Sequence, residues 1–204
     1  MSERLNLDNA KIRNFVDHVK TECKAMGIKV ELRKSKTLNL GKGIRCAGYF
    51  DEEGMKLVVA VNHPLALGVL VHEYGHFTQW VENIPIWKKA GSSLNYVEAW
   101  LNGEEVKNIK KWIALSRDLE LDNEKRTVKL IKEFGLPIDV DLYTKRANAY
   151  VLFYNWLLTS RRWSSPSNSP YRNSIILEAC STKFNMKYGE LSARVRQAFV
   201  DAGI

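Results

Sequence analysis

The chain has 204 residues, 45% of them apolar and 26% charged, which argues against disorder and fits one globular domain, or two lobes sharing a cleft. Its 31 Lys+Arg against 23 Asp+Glu leave a net charge of +8, which admits an acidic or nucleic-acid partner. The basic residues are spread over 107–111, 125–132, 161–162 and 194–196 and not interleaved with aromatics, so a solvated basic surface is the expectation.

Residues 8–26 place Ile12, Phe15, Val16, Val19 and Cys23 at helical spacing, and Gly27 follows as a stop. Strand-like runs come next at 28–33, 44–50 and 55–61. The last two flank Asp51-Glu52-Glu53-Gly54, a hairpin turn with Gly54 in the left-handed position. A helix opening at Pro64, capped by Asn62 or His63, should run to about 80–83 and end before Pro85. Helices are then predicted at 94–102, at 105–134 in one or two pieces, at 139–160, at 173–182 and at 188–201. The segment WSSPSNSPY (163–171) reads as a loop. The order predicts an α+β fold in a single domain, with a sheet and motif-helix lobe at 1–85 and a helical lobe at 86–204.

Three widely spaced cysteines, Cys23, Cys46 and Cys180, predict neither a disulfide framework nor a cysteine metal site. The charged N-terminus lacks the apolar core of a signal peptide, and the most apolar stretch, 56–71, is too short to span a bilayer. A cytoplasmic location and no membrane association are expected.

The chemistry concentrates in His72-Glu73-Tyr74-Gly75-His76, an H-E-x-x-H pattern inside the apolar helix. Four residues make about one helical turn, so both imidazoles leave the same face and can reach one ion. Glu73 lies about 100° around the helix from His72, placed for a water on that ion and not for the ion itself. Neutral imidazoles suit Zn²⁺, which lowers the pKa of its water towards ~7. Glu73 then serves as general base, taking the proton and passing it to a leaving amine. With four histidines in the chain, a chance match is on the order of one in a few hundred. The bland alternative is a pair of hydrogen-bonded core histidines with Glu73 on a wet edge.

The stretch VLVHEYGHFTQW (69–80), preceded by a small sheet, resembles the zincin metallopeptidases. That resemblance implies a zinc-dependent peptidase acting on a peptide or protein substrate. It also implies an edge strand beside the motif helix that holds the substrate extended, here 44–50 or 55–61. Such sites take a third protein ligand. In the metzincin branch a Gly and then a His follow at three-residue intervals; those positions hold Gln79 and Glu82, and Glu82 ligates only if the helix breaks at Gln79.

In the gluzincin branch the third ligand is a Glu on a later helix, often followed four residues on by an acid that orients the first His. Glu120 and Glu124 fit and share one helical face, with Asp122 nearly opposite. Two acids at that spacing repel unless a cation is near. The resemblance therefore implies Glu120 as ligand and Glu124 as partner of His72, with the reverse assignment open. The alternative is an exposed acidic patch paired with Arg117, Lys125 or Arg126. The pattern is similar to short gluzincins such as the ImmA/IrrE-like group, and residues 119–150 resemble putative metallopeptidases of bacteriophages, which implies a host cytoplasm.

His63 reads as a cap or core residue and His18 as structural. An oxyanion donor is expected in such a site, and Tyr150, Tyr154, Tyr171, Arg161 and Arg162 are eligible. Two other functions stay open: a zinc-stabilised binding module without turnover, and a nucleic-acid-associated protein.

Overall fold

The spacing of Ile12, Phe15, Val16, Val19 and Cys23 makes α1 (Ala10–Ala25) an amphipathic helix whose buried stripe is those five residues. Asn9 caps it by accepting the N–H groups of Lys11 and Ile12, and Gly27 at φ +75° releases the chain. The computed structural model describes residues 3–41, 45–165 and 167–204; Ile44, where the second expected strand begins, and Pro166, within the expected loop, lie outside the described residues.

The strands are β1 (Lys29–Arg33), β2 (Leu38–Asn39), β3 (Arg45–Cys46), β4 (Gly48–Asp51) and β5 (Lys56–Ala60). One sheet has the order β1-β5-β4, with β5 parallel to β1 and antiparallel to β4; β2 and β3 pair antiparallel in a ladder of their own. The stretch expected as one strand at 44–50 is thus two, because residues 45–46 pair with β2 while 48–51 pair with β5. The sequence reading passed over the short β2 altogether. Leu57, Val58, Val59 and Ala60 are all fully buried, the unbroken apolar run of a strand flanked on both sides. Of the two candidate edge strands, the run 55–61 is therefore the central one, and β4 is the edge.

The β4–β5 turn differs from expectation in its handedness. Met55 holds the left-handed conformation (φ 50°), and Gly54 does not. The Asp51 carboxylate accepts the Gly54 N–H at 2.8 Å, and a Cβ on Gly54 would collide with that carboxylate. Glycine is favoured there by the close approach of that side chain and not by backbone sign.

Helix α2 (Ala66–Val81) begins two residues later than predicted, with Leu65 as a cap that lacks a side-chain bond. Pro64 belongs to the preceding turn, and His63 contributes through Nδ1, which accepts the Leu65 N–H at 3.2 Å. A short helix not predicted, α3 (Pro85–Ala90), uses Pro85 at its first position, where a missing N–H costs nothing. Then come α4 (Ser93–Leu101), α5 (Ile109–Glu133), α6 (Val140–Ser160), α7 (Ser174–Ala179) and α8 (Ala193–Asp201). Helix α5 is one piece of 25 residues. The last two helices are shorter than predicted, α7 closing at Cys180 and α8 opening only after the Ser192 cap. The fold is mixed α+β, mostly helical with a small sheet.

The chain divides into two compact units, one running to Asn83 and including Arg126–Asp139, the other made of Ile84–Lys125 and Val140–Ile204. In the first, α1 packs on β1, and α2 on β4 and β5. Phe15, fully buried, meets Tyr74 edge-on at 5.8 Å and Phe134 at 5.0 Å. Arg126 ties the last turns of α5 to the end of α2, bonding Glu82 at 2.8 Å and the Thr78 hydroxyl at 3.4 Å. The second unit has its own core, including Ile113, Leu152, Phe153, Leu157, Ile176 and Phe199. Among the described residues no helix is long and apolar enough to cross a membrane.

Candidate metal centre

Ala66, Leu67, Leu70, Val71, Tyr74 and Phe77 bury one side of α2 and orient the rest of it. His72 and His76, one turn apart, lie half-buried with their rings side by side, centroids 4.8 Å apart and planes at 88°. Glu73 is 9% exposed. It stands against β4 at Gly48, where a Cβ would come within 2.5 Å of Val69 Cγ1 and 3.1 Å of Glu73 Cγ. Glycine at 48 is what lets the edge strand close on the motif helix beside Glu73. The Cys46 thiol is pushed up to about 11, first by burial and then by the charge of Glu73.

His76 donates its Nδ1 hydrogen to Gln79 Oε1 at 2.9 Å, and Gln79 is fully buried. Sequence reasoning met Gln79 only as a position lacking glycine. Three positions apart on one helix, the two side chains are within reach of each other, but the spacing alone does not say that they bond.

Helix α5 buries the opposite kind of surface. Ser116, Arg117, Glu120, Asn123, Glu124 and Thr127, spaced by three and four, are each at most 9% exposed. Burying such groups is costly unless partners meet them. Ser116 bonds Ser93 at 2.9 Å, Arg117 donates to Asn155 at 2.9 Å and to Asp118, and Tyr143 donates its hydroxyl to Glu124 at 2.8 Å. Tyr150 and Tyr154, about two and three turns further along α6, have hydroxyls 3.2 Å apart. Burial first, and then the charge of Glu120, holds both phenols well above the ordinary range, so they remain proton donors at neutral pH. Glu120 and Glu124 are thus no exposed acidic patch.

Among the described residues one group of three is placed to hold a metal ion: His72, His76 and Glu120, whose ligand atoms lie within 4.8 Å of one another. Two imidazoles and a carboxylate are the donor set of an open zinc site. Ligand atoms about 2.1 Å from a tetrahedral ion stand roughly 3.4 Å apart. The donor chemistry of the three side chains fits such an ion.

The remaining candidates fall elsewhere. Helix α2 does not break at Gln79, and Glu82 caps it, 54% exposed and paired with Arg126, outside the three-residue group. Glu124 accepts the hydroxyl of Tyr143 of α6, a bond that the aromatic spacing of 143–156, which reads as core, does not reveal. His18 bonds the Tyr74 hydroxyl at 2.9 Å, in keeping with a structural role. Tyr171 meets Tyr150 edge-on at 6.2 Å, whereas Arg161 lies over Trp100 at 5.0 Å.

No protein-family model matches the chain, and no curated protein or solved structure does.

Proposed function

We propose that this chain is a zinc-dependent peptidase of the gluzincin type, working in a cytoplasm, with His72, His76 and Glu120 as metal ligands. The observation that carries the proposal is the convergence of those three ligand atoms within 4.8 Å, two of them from an H-E-x-x-H helix. A bound zinc ion supplies a Lewis acid that polarises a carbonyl and lowers the pKa of water towards ~7.

Glu73 is the residue left for proton transfer. Its carboxylate takes a proton from the attacking water and delivers it to the departing amine nitrogen, so the chain regains its starting state each cycle. The edge strand β4 offers backbone groups to an extended peptide, and Gly48 sets its distance from Glu73. Of the donors eligible for a developing oxyanion, Arg161 is engaged by Trp100 and Tyr154 is buried in the core of the second unit.

The test is digestion of a peptide library by the zinc-loaded protein beside its Glu73→Gln variant. The expected result is cleavage by wild type and a loss of about 10²–10⁴-fold in the variant with zinc content unchanged. Activity that survives Glu73→Gln refutes the mechanism. Zinc retained by a wild type that cleaves nothing would instead favour a zinc-stabilised binding module.

A further inference from the structure

We propose that Gln79 is a positioning residue: it locks His76 in the tautomer that presents Nε2 to a metal, a role that rests on the zinc reading above. The amide oxygen of Gln79 only accepts hydrogen bonds, and it lies 2.9 Å from His76 Nδ1. The shared proton therefore sits on Nδ1. In a neutral imidazole that leaves Nε2 as the ring nitrogen with the in-plane lone pair, the one a metal ion takes.

Three features make the contact a device and not an accident of packing. Gln79 is fully buried on a helix whose other buried residues are mainly apolar, so an amide there is expensive unless its polar atoms are used. It is three residues from His76 on the same helix, so the backbone itself sets their separation. Metal-bound histidines generally donate their second ring N–H to an acceptor that fixes ring orientation. Here that acceptor comes from the motif helix itself. The helix therefore carries both histidine ligands, the general base and the group that orients one ligand.

The test reads the tautomer directly. Long-range ¹H–¹⁵N spectra of the metal-free protein, at a pH where the ring is neutral, distinguish Nδ1–H from Nε2–H at His76. Zinc affinity is measured in parallel by competition with a chromophoric chelator. Wild type is expected to show the Nδ1–H form. Gln79→Leu, of similar size but without an acceptor, should lose that preference and bind zinc about 10–100-fold more weakly. Gln79→Glu, which keeps an acceptor, should retain the tautomer and bind within a few-fold of wild type.

Circular dichroism of each metal-free variant checks folding. Should Gln79→Leu unfold, the wild-type and Gln79→Glu tautomers still decide. An Nε2–H wild type that binds zinc overturns the role of Gln79 and leaves the metal site standing, as does a folded Gln79→Leu with unchanged tautomer and affinity. A wild type that binds no zinc overturns the metal site and this role with it.

Discussion

Helix α2 buries Leu67, Leu70, Val71 and Phe77 and leaves its two histidines half-exposed, whereas α5 buries Glu120, Asn123, Glu124 and Thr127. The two helices divide two tasks. The first is anchored by area removed from water, a force without direction that tolerates chemistry on the opposite face. The second buries Ile113 and Ile131 as well, but adds a stripe of specific polar pairs, which gain little when satisfied and cost much when broken. A polar stripe of that kind is a poor way to build a core and a good way to aim carboxylates.

The largest effect that separates them should come from the apolar side. Leu70→Ala removes a fully buried side chain, at an expected cost of about 2–5 kcal/mol. Calorimetry should show the melting temperature lowered by roughly 5–15 °C; a smaller shift would mean that area does not anchor α2. On the polar side, Tyr143→Phe strips Glu124 of the hydroxyl at 2.8 Å, and urea titration should find a loss of about 1–3 kcal/mol. A neutral result would show that the α5 stripe is not held by its pairs.

A pH series sharpens the comparison. Cys23, whose charge bears on Tyr74 of α2, is pushed by burial to about 12 from a usual value near 9. Because the folded value is raised, the unfolded chain releases the proton first as pH rises. The contribution is complete below about pH 9 and is lost towards 12. The urea midpoint should therefore fall above pH 9, less steeply in Cys23→Ala; equal slopes would deny the effect. The smallest change is expected of Glu82→Ala, whose partner Arg126 sits at a 54% exposed carboxylate. Surface pairs of this kind contribute under about 1 kcal/mol, and zinc binding should be untouched.

Half of this arrangement was legible in the amino-acid sequence. His72, Glu73 and His76 stand out because histidine is scarce in the chain and the one-turn spacing has few other uses. Glu120 and Glu124 stand out because like charges at i,i+4 need a reason. Gln79 and Tyr143 were not legible, since their roles depend on where an amide oxygen or a phenol points, which periodicity does not encode. The parallel pairing of β1 with β5 escaped for a related cause: the partner of a strand is set by non-local contact, and only the unbroken apolar run 57–60 hinted at a central position. The Met55 turn shows the limit of turn rules, because Gly54 answered to the Asp51 carboxylate and passed the left-handed position on.

The most direct measurement is elemental analysis of protein purified without a metal-affinity tag, comparing wild type with Glu120→Ala and Glu82→Ala. The account predicts about one zinc per wild-type chain, kept by Glu82→Ala and lost by Glu120→Ala. Zinc absent from wild type after it is supplied, or retained in full by Glu120→Ala, would contradict it.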